Sequence, residues 1–151
     1  MQFLERLVVY LAILPIIVTV GACATTPITV TEGKPVSRDR LFAHELVRES
    51  NGAADSASVA FLRDSGSFGG GCSHFLYVNG QKVAALNPGE LVILSLAPGE
   101  YFFRVEVNGA DFGGLCPSNL TTSQSTLLKA QDYQTYRIAV SNGGMSFVRT
   151  K

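Results

Sequence analysis

The sequence carries little charge, and neither sign predominates. Only 16% of its 151 residues are Asp, Glu, Lys or Arg, and the 12 basic and 12 acidic residues cancel to a formal net charge of +0. A nucleic-acid-binding face needs clustered Lys and Arg to displace counterions, so nucleic acid is not expected as a partner. The low charge and the 15 glycines are typical of a compact β domain rather than of a disordered chain.

Motifs for nucleophilic and phosphate chemistry are also lacking. The chain contains no Gly-x-Ser-x-Gly elbow, and its glycine-rich stretch, residues 66–72, lacks the Lys-Ser/Thr ending of a phosphate loop. Glu90 and Glu100 each follow a Pro-Gly turn, where solvated carboxylates are ordinary. The sequence therefore predicts no catalytic residue and no cofactor, and the protein is predicted not to be an enzyme.

The one long apolar run, residues 7–20, lies at the amino terminus behind a single basic residue, Arg6. Small residues and a cysteine follow it, a pattern typical of a secretory signal. The motif Val20-Gly21-Ala22-Cys23 resembles the bacterial lipobox, and that resemblance implies that Cys23 is acylated and begins the mature protein. The alternative, a transmembrane helix over residues 7–20, is shorter than the roughly 20 residues that a bilayer requires.

The residue after Cys23 is Ala24 rather than the Asp that bacterial sorting reads as a signal for the inner membrane. The lipobox resemblance thus implies an outer-membrane lipoprotein that faces the periplasm. Two or more acyl chains anchor such a protein stably in the membrane.

Two cysteines remain after Cys23, namely Cys72 and Cys116. In an oxidising periplasm such a pair is most simply a disulfide. A soft-metal site that uses Cys72, His74 and Cys116 is the alternative, but it lacks a fourth ligand and requires reduced thiols. Cys72 with His74 as a thiol–imidazole pair is a further alternative. The sequence therefore predicts a disulfide and no metal.

Residues 24–36, which follow the signal, contain two prolines and no helical period. This pattern predicts a lipid-anchored tether over residues 23–56, extended and polar, which separates the signal peptide (1–22) from a folded domain (57–151). Residues 38–50 are predicted either as one short helix or as an extended segment docked by Leu41 and Phe42.

From residue 57 onward the apolar residues recur with a period of two, which indicates strands. Asn79-Gly80 predicts a tight hairpin, and Pro88-Gly89 and Pro98-Gly99 predict type II turns. Turn signals at roughly ten-residue spacing favour an all-β fold, specifically an antiparallel β-sandwich of about seven strands.

The stretch from Asn79 to Val83 and the stretch from Leu96 to Tyr101 resemble the core of PEGA-type surface modules. Over residues 57–149 the chain is also similar to small uncharacterised bacterial lipoproteins with a single β-sandwich domain. The resemblance implies an Ig- or PEGA-like sandwich and no particular activity.

Two arginines are candidates for ligand binding or for ion pairs. Arg63 continues the apolar face of its strand and is predicted to point inward, either into an ion pair near Asp64 or toward a ligand; Arg137 is the second candidate. Most aromatic residues are predicted to form the core: Phe61, Phe75, Tyr77, Tyr101, Phe103, Tyr136 and Phe147. The remaining candidates for an exposed aromatic patch are Phe68, Phe102 and Phe112.

Together these patterns favour a non-catalytic envelope lipoprotein that binds or assembles with a membrane protein or the cell wall. A periplasmic sensor or scavenger of small ligands, with Arg63 or Arg137 as its polar anchor, is the alternative function. A cell-wall hydrolase is a third and weaker interpretation.

Overall fold

The structure is a computed structural model that describes residues 25–47, 55–66, 70–141 and 144–151. The signal segment, Cys23, Phe68 and the carboxyl end of the predicted helix (48–50) lie outside these residues. Among the described residues no helix is long and apolar enough to cross a membrane.

The described residues form two stacked sheets, which confirms the all-β sandwich. The five-stranded sheet has the order β1-β5-β2-β8-β9, and the four-stranded sheet has the order β4-β3-β6-β7. The strands are β1 (Lys34–Pro35), β2 (Ala57–Arg63), β3 (His74–Val78), β4 (Gln81–Leu86), β5 (Glu90–Leu96), β6 (Gly99–Val107), β7 (Thr121–Leu128), β8 (Tyr133–Ser141) and β9 (Gly144–Arg149).

Two features of the sheets differ from the expectation. Nine strands are formed among the described residues, rather than about seven, and β1 comes from the segment predicted to be a tether. Most pairs are antiparallel, but β1–β5 and β2–β8 are parallel. β2 and β8 are not consecutive in the chain, because β5 of the same sheet and four strands of the other sheet lie between them.

The core between the sheets is built on aromatic side chains from both layers. Phe61 contacts Phe103 edge to face, with ring centroids 4.9 Å apart, and stacks on Tyr136 at 5.5 Å. Phe147 closes the cluster against Tyr136 at 5.3 Å. Edge-to-face and offset pairs of this kind add to the stabilisation from burial alone. Two predicted core residues, Phe75 and Tyr77, instead lie half-buried on the outer face of β3, because the buried residues of that strand alternate with them.

Residues 25–47 pack on the sandwich, so the prediction of an extended tether over this part of the chain is wrong. Lys34 and Pro35 pair with β5, and the buried side chains of Val36 and Ala43 join the main core. The physical reason is that the outer edges of β5 and β4 present unpaired backbone groups, which this segment covers. Upstream, Ile28 and Val30 pack against the outer face of β2.

The single helix predicted over residues 38–50 is also absent from the described part of that range. Arg38–Arg40 and His44–Leu46 form separate turns of 3-10 helix, and between them Leu41 bridges to Ala84 of β4. In this segment, backbone pairing with β4 replaces the predicted helix. The docked alternative is closer to the structure, although Phe42 is exposed.

The two ends of the sandwich differ in construction. At one end, here called the disulfide end, β2, β6 and β8 finish, β3 and β5 begin, and Cys72 is bonded to Cys116. At the other end, here called the hairpin end, Asn79 and Gly80 connect β3 to β4 with positive φ at both residues, as a tight hairpin requires.

The packing of Val36 can be tested against an exposed valine. Val36→Ala should lower the free energy of unfolding by about 1–2 kcal/mol, because Val36 is buried in the core. Val148→Ala should cost less than about 0.5 kcal/mol, because Val148 is 53% exposed. Urea unfolding of both variants measures the difference. Equal and negligible costs would show that residue 36 belongs to a free tether.

Candidate functional site

Cys72 and Cys116 form a disulfide, as predicted, with their Cα atoms 5.8 Å apart. The bond joins the segment that leads into β3 to the loop between β6 and β7. Closing a loop of 44 residues stabilises a fold by about 4 kcal/mol in the chain-entropy model. It also uses both thiolates that a metal site or a thiol–imidazole nucleophile would need.

Arg63 points inward from the end of β2, as its position on the apolar face predicts. Its side chain is buried, and its Nη1 donates to the backbone carbonyl oxygens of Cys72 and of Leu86, the latter at 2.9 Å. Burial lowers the pKa of Arg63 to about 10, so the guanidinium keeps its proton near neutral pH. Arg63 therefore fastens the start of β3 and the end of β4 to β2.

Arg137 forms an ion pair, but its partner lies far away in the sequence. Its Nε and Nη2 donate to Oδ1 and Oδ2 of Asp64 at 3.0 and 2.5 Å. This bidentate contact raises the pKa of Arg137. Asp64 is buried and also accepts from the backbone N–H of Ile28 at 3.4 Å. Asp64 is thus neutralised by Arg137 rather than by its neighbour Arg63.

His74 is the second buried basic residue at the disulfide end. Neither ring nitrogen has a hydrogen-bond partner within the described residues. Burial and then the charge of Arg63 lower the pKa of His74 from 6.5 to about 3. Nearby, Oδ2 of Asp111 accepts from the backbone N–H and the hydroxyl of Ser73 at 2.5 and 2.6 Å. The imidazole is therefore buried and neutral near pH 7.

A second candidate site lies on the outer face of the four-stranded sheet. Exposed or half-buried aromatic, aliphatic and cationic side chains lie next to one another on this face, and this group of residues is here called the outer strip. Its members are Phe42, Phe75, Tyr77, Lys82, Phe102, Arg104 and Leu127.

Strand register explains why these side chains meet. Tyr77 lies opposite Lys82 on one side and opposite Arg104 on the other, and facing residues of neighbouring strands project to the same side. The ammonium of Lys82 is 3.6 Å from the ring centroid of Phe75, and the guanidinium of Arg104 is 4.1 Å from that of Tyr77. Both distances are typical of cation–π contacts.

A groove of about 540 Å³ opens at the hairpin end of the outer strip. Phe102 and Leu127 are 44% and 57% exposed and supply its apolar surface. Its remaining lining residues are Asn79, Glu100, Tyr101, Ser125 and Thr126. The side-chain oxygen of Asn79 accepts from the backbone N–H of Phe102 at 2.8 Å, which holds the hairpin against the groove.

The structure brings together only part of the predicted aromatic patch. Phe102 is exposed as expected, whereas Phe68 and the side chain of Phe112 lie outside the described residues. The neighbour of Phe102 is Leu127 of β7, which the sequence interpretation missed. The residues of β7 before Leu127 are all polar, so the sequence has no apolar alternation that marks its face, and the pairing of β6 with β7 is needed to place it. Neither Arg63 nor Arg137 lines the groove.

No protein-family model and no curated protein matches the chain. The structure defines the class of the fold, an all-β sandwich. The outer strip lies on one of its sheets, and a disulfide joins two segments at one of its ends.

The buried imidazole predicts a specific pH dependence. Between about pH 6.5 and pH 3 the unfolded chain binds a proton at His74 that the folded protein excludes. Falling pH therefore favours unfolding, by up to about 1.4 kcal/mol per pH unit from this residue. His74→Leu should make the free energy of unfolding less dependent on pH over this window.

The exposed histidine provides the control, and urea unfolding at a series of pH values provides the measurement. His44→Leu is the matched control, because it makes the same substitution at an exposed position. An unchanged slope in His74→Leu would show that His74 is protonated alike in the folded and unfolded states.

Proposed function

We propose that the protein is a non-catalytic lipoprotein of the bacterial outer membrane, acylated at Cys23, that binds a protein partner in the cell envelope. The lipobox-like motif supports the anchor, and the outer strip supports the binding function. The positions of the potentially reactive side chains support the non-catalytic part of the proposal. Cys72 is bonded to Cys116, and His74 is buried.

The observation that carries the proposal is the exposure of large apolar side chains next to fixed cations. Phe42, Phe102 and Leu127 are exposed on the same sheet face that holds Lys82 and Arg104. Protein interfaces are enriched in aromatic residues and arginine, and a few such side chains carry most of the binding energy. The outer strip has this composition, which favours a protein partner over the cell wall.

The groove favours a second candidate function, the binding of a small ligand. A volume of about 540 Å³ is within the range of small-molecule sites, and polar groups at Glu100, Ser125 and Thr126 flank its apolar residues. In this alternative the polar anchors are these residues and not Arg63 or Arg137.

Cross-linking and co-purification of the lipidated protein from its own envelope tests the protein-partner function. Phe102→Ser combined with Leu127→Ser should reduce recovery of a stoichiometric partner by about tenfold or more, because both exposed anchors are removed. Cys23→Ser should abolish membrane association, and with it the recovery.

The matched control removes two exposed apolar side chains from the other sheet. Tyr133→Ser combined with Val148→Ser should leave partner recovery unchanged. A partner that the outer-strip variant retains in full would contradict the proposed surface. A protein recovered alone would contradict the assembly function, and a co-purified small molecule in its native mass spectrum would then favour the ligand-binding alternative.

A further inference from the structure

The first described residues are fastened to the disulfide end of the sandwich. The backbone N–H of Thr25 donates to the carbonyl of Val140 at 3.1 Å, and the N–H of Val140 donates to Oγ1 of Thr25 at 3.1 Å. Thr26 and Ser65 exchange backbone hydrogen bonds of 2.6 and 2.9 Å. Because β2 and β8 run in parallel and finish at the disulfide end, these four bonds fix Thr25 there.

The covalent chain then limits how far a lipid on Cys23 can lie from this point. Consecutive Cα atoms are 3.80 Å apart, so the Cα atoms of Cys23 and Thr25 are separated by at most about 7.6 Å. The polar layer on each side of a bilayer is of similar thickness, about 5–8 Å. An acylated Cys23 therefore places Thr25 at the level of the lipid headgroups.

We infer that the disulfide end of the sandwich faces and contacts the bilayer that holds the lipid, while the hairpin end and its groove point away from it. This inference rests on the proposed acylation of Cys23 and adds the orientation of the domain. The surface that meets the membrane is formed by the loops around Thr25 and the loop between β6 and β7.

A leucine on the second of these loops fits a membrane contact. Leu115 is 86% exposed, more than the other exposed large hydrophobic residues among those described. It directly precedes Cys116, so the disulfide to Cys72 fixes the base of its loop. Insertion of an exposed apolar side chain into the interfacial region of a bilayer is favourable, because it removes apolar surface from water.

The charges at the disulfide end are compatible with headgroups. Two of its carboxylates are paired with arginines, which reduces the negative charge that they present to anionic lipids, whereas the carboxylate of Asp111 is hydrogen-bonded only to neutral groups. These contacts join Asp64 to Arg137, Glu90 to Arg40, and Asp111 to Ser73 and Asn108.

Two exposed leucines provide a matched pair of probe positions. Leu115 lies at the disulfide end, whereas Leu127 faces Glu100 near the start of β6, toward the hairpin end. Seven residues separate Glu100 from Val107, the last residue of β6, which corresponds to about 23 Å along the strand. Quenching from the membrane surface should therefore distinguish the two positions.

The experiment uses the full lipidated protein in phosphatidylethanolamine–phosphatidylglycerol vesicles that contain a lipid with a nitroxide on its headgroup. Leu115→Cys and Leu127→Cys each introduce one thiol for a fluorophore, and peptide mapping verifies that Cys72 and Cys116 are still bonded to each other, because position 115 adjoins Cys116. We expect the label at position 115 to be quenched several-fold more than the label at position 127.

The outcomes separate the orientation from the anchor. Protein that floats with the vesicles but shows equal quenching at both positions, or stronger quenching at 127, overturns the orientation and leaves the acylation standing. Protein that does not float, although Cys23 is present, overturns the acylation and the orientation with it. Both substitutions are at exposed positions, and thermal unfolding of each labelled variant verifies that it is folded.

Discussion

The pairing of residues 25–47 with the edges of the sandwich is the interaction on which the rest of this account depends. Lys34 and Pro35 extend the five-stranded sheet beyond β5, and Leu41 bridges to β4 in the other sheet. The segment therefore spans both layers and places Val36 and Ala43 in their common core. It also decides where the chain leaves the fold: Thr25 is fixed at the disulfide end, so the domain has no long tether between it and Cys23.

At the disulfide end, a buried arginine joins neighbouring segments of the fold. Arg63 is buried as a cation because carbonyl oxygens of two neighbouring segments accept its hydrogen bonds, and its charge helps to keep His74 neutral. A buried charge is tolerated only when it is paired in this way. The disulfide then joins the two loops that flank this cluster. The outer strip, by contrast, leaves large apolar side chains exposed on the four-stranded sheet.

Much of the fold could be predicted from the sequence because its signals are local. The period of two along β2, β6 and β8 and the Asn79-Gly80 turn depend on neighbouring residues. The disulfide follows from the count of cysteines together with the predicted oxidising compartment. Interactions between distant segments were missed. Asp64 and Arg137 are 73 residues apart, and nothing local indicates that β2 lies beside β8. The alternation along β3 does not reveal which of its faces is inward, so Phe75 and Tyr77 are predicted in the core, although they lie on the outer face next to cations of neighbouring strands. Residues 25–47 show no periodic pattern in the sequence that would predict their docking. Their conformation is set by the sheet edges with which they pair.

Residues 25–47 belong to the folded domain, which sets the distance between the sandwich and Cys23. Hydrogen exchange of the lipidated protein in a bilayer tests this claim most directly. The amides of Thr25, Thr26, Lys34 and Val36 donate to carbonyl oxygens of the sandwich and should exchange slowly, at rates comparable to those within the sheets. Exchange of these four amides at the rate of an unstructured peptide, with the sheets protected, would contradict the account.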